Sequence, residues 1–346
     1  MIKKTCQYSI IVIALLVAFS LTGYVAPPAA SGKPINLILS SANPEKHPVA
    51  IIFKAWAKDI ETLSNGKIKV IPHWAGALGA AKDQYDMVID GISDLSEFPV
   101  GWSPGRFPLS EITGLPIRGD SSEQICKSIN EVVKKGYLNK EHSEVHLLII
   151  GATSPQKFWS RKKISSISDL KGMKIRALTK PEVALVKALG GVPTPMPITE
   201  MYLALDRGVM DAGFFDYGSS MAFKLYEVAP YVMELNVYST PVAMIMNKAW
   251  YEKLSPDLKT VIDKSTEPRA AIAGRTLDKF ETMGKGVGVK HGLQVIEVSA
   301  ADRARLNELA QPIITKWADS LEVKGYPAKA AVKTYMDALQ KYKPSK

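Results

Sequence analysis

The chain has 346 residues, 46 % of them hydrophobic and 23 % charged, with a net charge of +10. That length fits about two domains of roughly 150 residues each, and the composition fits a globular chain with a real core rather than a disordered one. The basic residues are scattered through "KGYLNKEH", "RKKI" and a Lys-rich tail. No stripe of cations with interleaved aromatics exists, so nucleic acid is not an expected partner.

The N-terminus has the three parts of a secretory leader. Lys3 and Lys4 give a positive start, residues 9–21 are apolar, and small residues stand at Ala29, Ala30 and Ser31. Cleavage is expected near residue 30 or 31, which makes residues 1–31 a signal peptide and the mature chain an exported, periplasmic protein. The apolar run is short for a membrane helix, which needs about 20 residues. "LTGY" begins like a lipoprotein cleavage site, but Tyr24 stands where a lipidated cysteine is needed. Loss of Lys3 and Lys4 takes the net charge from +10 to about +8. Cys6 leaves with the leader, so Cys126 is alone and cannot form an intramolecular disulfide. Its surroundings, "EQICKSINEVV", read as a helix with a packed thiol.

After the leader the spacing predicts a strand over 35–40 and a loop, "ANPEKHP". Val49, Ile52, Phe53, Trp56, Ile60 and Leu63 then recur at helical intervals, and "NGK" at 65–67 ends that helix. A strand over 68–71 completes a β-α-β unit, the building block of a parallel sheet covered by helices. "GAAKDQYDMVIDG" reads as a short helix and "SDLSEF" as a strand. "EVHLLIIGA" and "KIRAL" are further strands, and a helix runs through Val183, Val186 and Leu189. "GVPTPMP" is extended. "ITEMYLALDRG" is a helix with Thr199 as N-cap and Gly208 as stop. "VMDAGFF" and "VAMIMN" are strands. From Pro256 the chain reads as mostly helical, broken by residues 284–299, whose second half is a strand. "GISDLSEF" (91–98) and "GVMDAGFF" (208–215) share a frame: a glycine stop, an aspartate and a terminal aromatic. Two α/β lobes on one plan are expected, with ligands beyond the carboxyl ends of their strands.

The motifs of catalysis are missing. No G-x-S-x-G, P-loop, G-x-G-x-x-G or H-E-x-x-H occurs, and no cofactor is implied. His142 and His146 stand at i, i+4, which would put two nitrogens on one helix face, but no third ligand is evident and a surface pair is expected. Asp206, Asp211 and Asp216 are spaced by five, which does not match a calcium loop. The sequence leaves open an acid pair; an exported hydrolase, the rival class, would need a nucleophile–base constellation, and no recognisable one is present. The positive signal is a binding site. Arg176 ends the short strand of "KIRAL" with a planar fork suited to a carboxylate; a salt bridge on the surface is the competing reading. Around it the predicted strand ends place Phe98, Phe158, Trp159, Phe214 and Phe215, apolar walls about a polar anchor. Adjacent strand residues face opposite ways, so one of Phe214 and Phe215 is expected in the core and the other at the pocket. Asp216, next in the chain, joins the candidate set.

"DLKGMKIRALTKPEVALVKALGGVPTPMPITEMYLALDRGVMDA" resembles the signature region of the solute-binding proteins of TRAP (tripartite ATP-independent periplasmic) transporters, the DctP-like family. "HWAGALGAAKDQYDMVIDGISDL", "KLYEVAPYV" and "MIMNKAWYEKLSPDLKTVI" match its other segments in order, over about residues 36–340. The resemblance implies a two-lobe periplasmic-binding-protein fold, with residues 32–151 and 242–284 in one lobe and 152–241 and 285–346 in the other. It implies hinge crossings, a long helix spanning both lobes, and a ligand trapped between them. It further implies that Arg176 pairs with the carboxylate of an organic anion, and that the partners are one small and one large membrane permease subunit. Where the family often has Glu-Asn this chain has Phe214 and Phe215, and Gln156 stands where sialic-acid-type members have a second arginine. Both departures make the pocket less polar and favour a monocarboxylate with an aromatic or branched body. An ABC-type binding protein shares the overall plan, and the "KIR" block and "MNK" strand favour the TRAP type.

Overall fold

The computed structural model describes residues 33–266 and 268–344, so the expected leader and its cleavage site lie outside the described residues. The chain opens with β1 (Ile35–Ser41), α1 (Pro48–Leu63), β2 (Ile68–His73), α2 (Gln84–Ile89), β3 (Leu95–Pro99), α3 (Ser122–Lys134) and β4 (Val145–Ala152). It continues through β5 (Lys157–Ser160), β6 (Lys174–Arg176), α4 (Lys180–Ala188), β7 (Val192–Thr194), α5 (Met201–Asp206), β8 (Ala212–Phe215), α6 (Tyr217–Phe223) and β9 (Tyr231–Met233). It ends with β10 (Pro241–Asn247), α7 (Lys248–Lys253), α8 (Pro256–Thr266), α9 (Arg269–Lys290), β11 (Gln294–Ile296), α10 (Ala300–Glu322) and α11 (Ala328–Lys341).

These strands form two sheets, ordered β2-β1-β3-β10-β4 and β7-β6-β8-β5-β9-β11. The first three strands of each are parallel and the fourth, β10 or β5, is antiparallel. The internal echo has a physical basis. Asp94 Oδ2 accepts from the Ile38 N–H at 2.8 Å, and Asp94 N–H donates to the Ile38 carbonyl at 2.9 Å. Asp211 does the same to Lys174, at 3.0 Å and 2.9 Å. Gly91 and Gly208, both at φ 71°, turn the chain into these strands in the left-handed region that favours glycine. Each aspartate thus locks the start of its strand to the same neighbour in its own sheet.

The helix α1 forms where the periodicity places it. His47 caps it, with Nδ1 accepting from the Val49 N–H at 3.3 Å, and Pro48 starts its first turn. Val49, Ile52, Phe53, Trp56 and Ile60 are buried in the core with strands of the first sheet, while Leu63 is 49 % exposed. Two other expectations are corrected. Thr199 does not cap α5, because a 3₁₀ turn over Ile198–Glu200 precedes that helix and its N-cap position is Glu200. The glycines from Gly284 onwards do not break the chain: α9 runs on to Lys290.

That 22-residue helix spans both lobes, packing on α1 and α3 of one and α6 of the other. Its contacts explain the glycines. A Cβ on Gly274 would collide with the backbone of Glu123 at the start of α3, and a Cβ on Gly284 with the Tyr217 carbonyl at the start of α6. Between them Asp278 accepts from the Ser122 and Glu123 N–H groups at 2.7 and 3.2 Å. Glu281 accepts from the Gly218 N–H at 3.1 Å and pairs with buried Lys157. One carboxylate from α9 therefore caps a helix of each lobe, where the positive end of the helix dipole favours it.

Gly284→Ala should cost about 1–3 kcal/mol by overpacking, because the obstruction is backbone. Gly286, with nothing within 4 Å of an added Cβ, should gain up to about 1 kcal/mol as alanine from helix propensity. Denaturant unfolding of the two variants checks the contrast.

Candidate functional site

The carboxyl ends of the parallel strands of both sheets converge on one cleft. The cavity it encloses is only about 60 Å³. The cleft is therefore narrow for its extent. Asn43 and His47 line it from the loop after β1, and Pro99, Gly101 and Trp102 from the end of β3. Arg176 and Leu178 face them from the end of β6, and Phe215, Asp216 and Phe223 from β8 and α6.

Arg176 is the last residue of β6 and is paired in register with Gly213 of β8. The missing side chain there leaves room for the arginine: a Cβ on Gly213 would sit 3.2 Å from Arg176 Cβ and 2.7 Å from Met201 Cε. Arg176 is only 8 % exposed, so it is not a surface residue. Its Nε donates to the Met196 carbonyl at 3.1 Å. Among the described residues no carboxylate lies within ion-pair distance of its guanidinium. Its two terminal amino groups are thus directed at the cleft without a counterion.

Phe215 lies on the same sheet face as Arg176, two residues beyond Gly213. Phe214 lies on the opposite face, packed edge-on against Phe158 at 5.3 Å and against Tyr238 at 5.5 Å, and still closes part of the cleft wall. Both phenylalanines therefore reach the cleft. Trp159 does not: it lies beneath, wholly buried, its Nε1 donating to the Phe215 carbonyl at 2.9 Å. Phe158 is sealed in the core of the second lobe. Phe98 is also off the cleft, wholly buried against Tyr85 and Phe107 at 5.8 and 5.9 Å. Sequence position puts these three rings near the strand ends, but parity along a strand does not say which face meets the opposite lobe.

Gln156 and Asp216 both line the cleft. The Gln156 amide nitrogen is committed to Thr153 Oγ1 at 2.8 Å, the Ser154 carbonyl at 3.0 Å and Asp216 Oδ2 at 3.4 Å. Asp216 caps α6 through the Ser219 N–H at 2.7 Å. Burial pushes its carboxyl above the usual range, against the pull of that N–H. Neither residue brings a second cation to the site. The histidine pair is corrected as well. His142 is buried and stacked on Phe107 at 5.0 Å, and His146 belongs to β4 and stacks on Tyr251 at 3.6 Å. The two do not share a helix face, and no cluster of three metal-ligating groups exists among the described residues. Cys126 is packed in α3, and burial pushes its thiol up to about 12, which leaves it unreactive.

Sequence reasoning missed the individual roles of Asn43, His47, Trp102 and Phe223. Their loops are legible, since "ANPEKHP" (42–48) and "EFPVGW" (97–102) are both expected in the wall opposite Arg176, but the sequence does not say which of their side chains face the cleft. Burial pushes His47 down to about 3, so its imidazole is neutral. Behind Asn43 sits Glu97, wholly buried, accepting from Ser41 Oγ at 2.6 Å and Asn43 Nδ2 at 3.0 Å. Burial pushes Glu97 up to about 7, the two donors opposing it. A carboxyl raised above its ordinary 4.5 holds a proton in the folded state that the unfolded chain has released. Stability from this group is therefore present at low pH and is lost as pH rises from about 4.5 through about 7. Glu97→Gln should flatten the fall in unfolding free energy between pH 5 and pH 8 by on the order of 1–3 kcal/mol, read by urea titrations at each pH.

Residues 39–320 match the family model of the bacterial extracellular solute-binding proteins, family 7 (DctP). The chain is 25 % identical over 292 residues to a solute-binding protein of Verminephrobacter eiseniae, covering 82 % of this chain and 85 % of that one. Among solved structures it resembles a marine metagenome TRAP solute-binding protein specific for aromatic acid ligands, in complex with 3-hydroxybenzoate. That match has 29 % identity and a TM-score of 0.86, over 90 % of this chain and 100 % of that one. It also resembles a TRAP periplasmic solute-binding protein of Bordetella bronchiseptica with bound (R)- and (S)-mandelate. There the identity is 27 % and the TM-score 0.82, over 89 % and 99 % of the two chains. The two-sheet architecture, the long helix touching both lobes and the cleft between them are those of a periplasmic binding protein. No helix among the described residues is long and apolar enough to cross a membrane. The chain belongs to the bacterial extracellular solute-binding proteins of family 7, the non-catalytic binding components of TRAP transporters.

Proposed function

We propose that this protein captures an aromatic monocarboxylate and delivers it to a TRAP permease. The observation that carries the reading is Arg176: a nearly buried guanidinium with two uncommitted amino groups, at a narrow slot walled by Phe214, Phe215, Phe223 and Trp102. A planar fork pairs with one carboxylate in bidentate fashion. The flat aromatic walls suit a ring in place of a second charged group. A dicarboxylate would bury its second charge among apolar groups, which costs several kcal/mol when no cation meets it. The aromatic-acid and mandelate complexes of the two relatives support the same class of cargo.

The mechanism is binding coupled to closure. The carboxylate docks on Arg176 in one lobe, the first lobe's residues Asn43, His47 and Trp102 cover the ring, and the closed form gains population by the ligand's greater affinity for it. The closed protein, exported with its leader removed near residue 30 or 31, then docks on one small and one large permease subunit.

A thermal-shift and calorimetric panel tests the cargo. Benzoate-type acids and mandelate should raise the melting temperature, by an amount equivalent to about 2.7 kcal/mol at a hundredfold excess over Kd. C4-dicarboxylates and sugar acids should not, and a response to those alone overturns the aromatic reading. Arg176→Ala should weaken the ligand by about 2–5 kcal/mol. It should leave the apo melting temperature unchanged or raised, since an unpaired buried charge is removed.

A further inference from the structure

We propose that His47 and Asn43 form a reading head for a hydroxyl group on the ligand's ring, held in register by Glu97. This rests on the aromatic-monocarboxylate reading and specifies which members of that class the slot selects.

The donors and acceptors on the loop after β1 carry it. His47 is 5 % exposed and lines the slot. Its Nδ1 accepts from the Val49 N–H at 3.3 Å, so the single proton of the neutral imidazole is on Nε2. No acceptor for Nε2 exists among the described residues, and the atom is not sealed in the interior, so His47 presents an N–H donor to the slot. Asn43 is the converse case. It is 3 % exposed and also lines the slot. Its amide nitrogen donates to both oxygens of Glu97, at 3.0 and 3.3 Å. Glu97 is further fixed by Ser41 Oγ at 2.6 Å, and Ser41 in turn accepts from the Asn43 N–H at 3.0 Å. With its nitrogen turned to Glu97, Asn43 has only Oδ1 left for the slot, and that atom too has no donor among the described residues.

One loop therefore offers a fixed donor and a fixed acceptor, four residues apart. A hydroxyl is the substituent that satisfies both, accepting from His47 Nε2 and donating to Asn43 Oδ1. A methyl group satisfies neither, and an ether oxygen only the first. The loop lies across the cleft from Arg176. The His47 ring meets Phe223 edge-on at 5.8 Å, and Phe223 meets Phe215 at 5.6 Å. A ligand anchored by its carboxylate at Arg176 would thus present to the loop a substituent remote from that carboxylate. A site built to hydrogen-bond a hydroxyl discriminates strongly against the analogue that lacks it, because its own polar groups are left unpaired.

The test is calorimetry on the mature protein at pH 8, above the range in which Glu97 holds a proton, with benzoate and with its 3- and 4-hydroxy, methyl and methoxy derivatives. At one of the two ring positions hydroxyl should bind at least tenfold tighter than methyl, with methoxy between them. Methyl derivatives equal to hydroxyl derivatives at both positions overturn the inference and leave the aromatic reading standing; failure of every member of the series overturns both. His47→Asn retains a side-chain acceptor for the Val49 N–H but loses the Nε2 donor. Glu97→Gln frees the Asn43 amide to turn over. In each variant the hydroxyl-to-methyl affinity ratio should fall towards one. A purely structural role would lower both affinities together and leave the ratio intact, and that result also overturns the inference.

Discussion

A guanidinium removed from water without a carboxylate beside it is expensive, and the cleft is organised around keeping it so. Three of the carboxyl groups in or behind the walls are each occupied by donors of their own. Glu182 is spent on the start of α4, accepting from the Leu178 and Thr179 N–H groups at 2.7 and 3.3 Å. Asp216 is spent on the start of α6. Glu97 is spent on Ser41 and Asn43. Helix N-termini are suited to this, since they supply unsatisfied N–H groups and a favourable dipole. The acids around the cleft thus serve the scaffold, and the arginine is left for an anion from outside.

Arg176 was legible from the sequence because a strand end and a fixed charge are enough to mark it. The repeated glycine–aspartate frame was legible for a similar reason: Asp94 and Asp211 act on the strand next door through backbone atoms, and their spacing carries the information. The aromatic shell was only half legible. Phe215 shares a face with Arg176, whereas Phe98 and Trp159 meet other layers of the core, and which face of a sheet looks across a cleft is set by the packing of the second lobe. His47 was hidden because its value as a donor comes from the tautomer that capping α1 imposes. Gly284 and Gly288 were misread as breakers because glycine in a helix normally signals weakness. Here they mark close approach instead, of α9 to α6 at Gly284 and of α9 to Leu293 at Gly288.

The apolar character of the slot follows from the same economy. Phe214 and Phe215 occupy the end of β8, where they join the core on either side of the second sheet. Their rings are held by Phe158, Tyr238 and Phe223 in edge-on and tilted contacts, so the wall they present is stiff. Rings held in this way cannot readily rotate to admit a wider or more polar solute, and the narrowness of the cleft is a property of the core as much as of the site.

The caps on α9 set how the lobes can move. Asp278 and Glu281 are three residues apart, so their anchor points are separated along the axis by only about 4.5 Å. Two bodies gripped that closely on a common rod cannot slide past one another or part along a broad front without breaking a cap. The motion that remains is a swing about the rod, with the fulcrum beside the base of the cleft. A few degrees there become a wide gape at the rim, so a small rotation brings a large area of the two walls together.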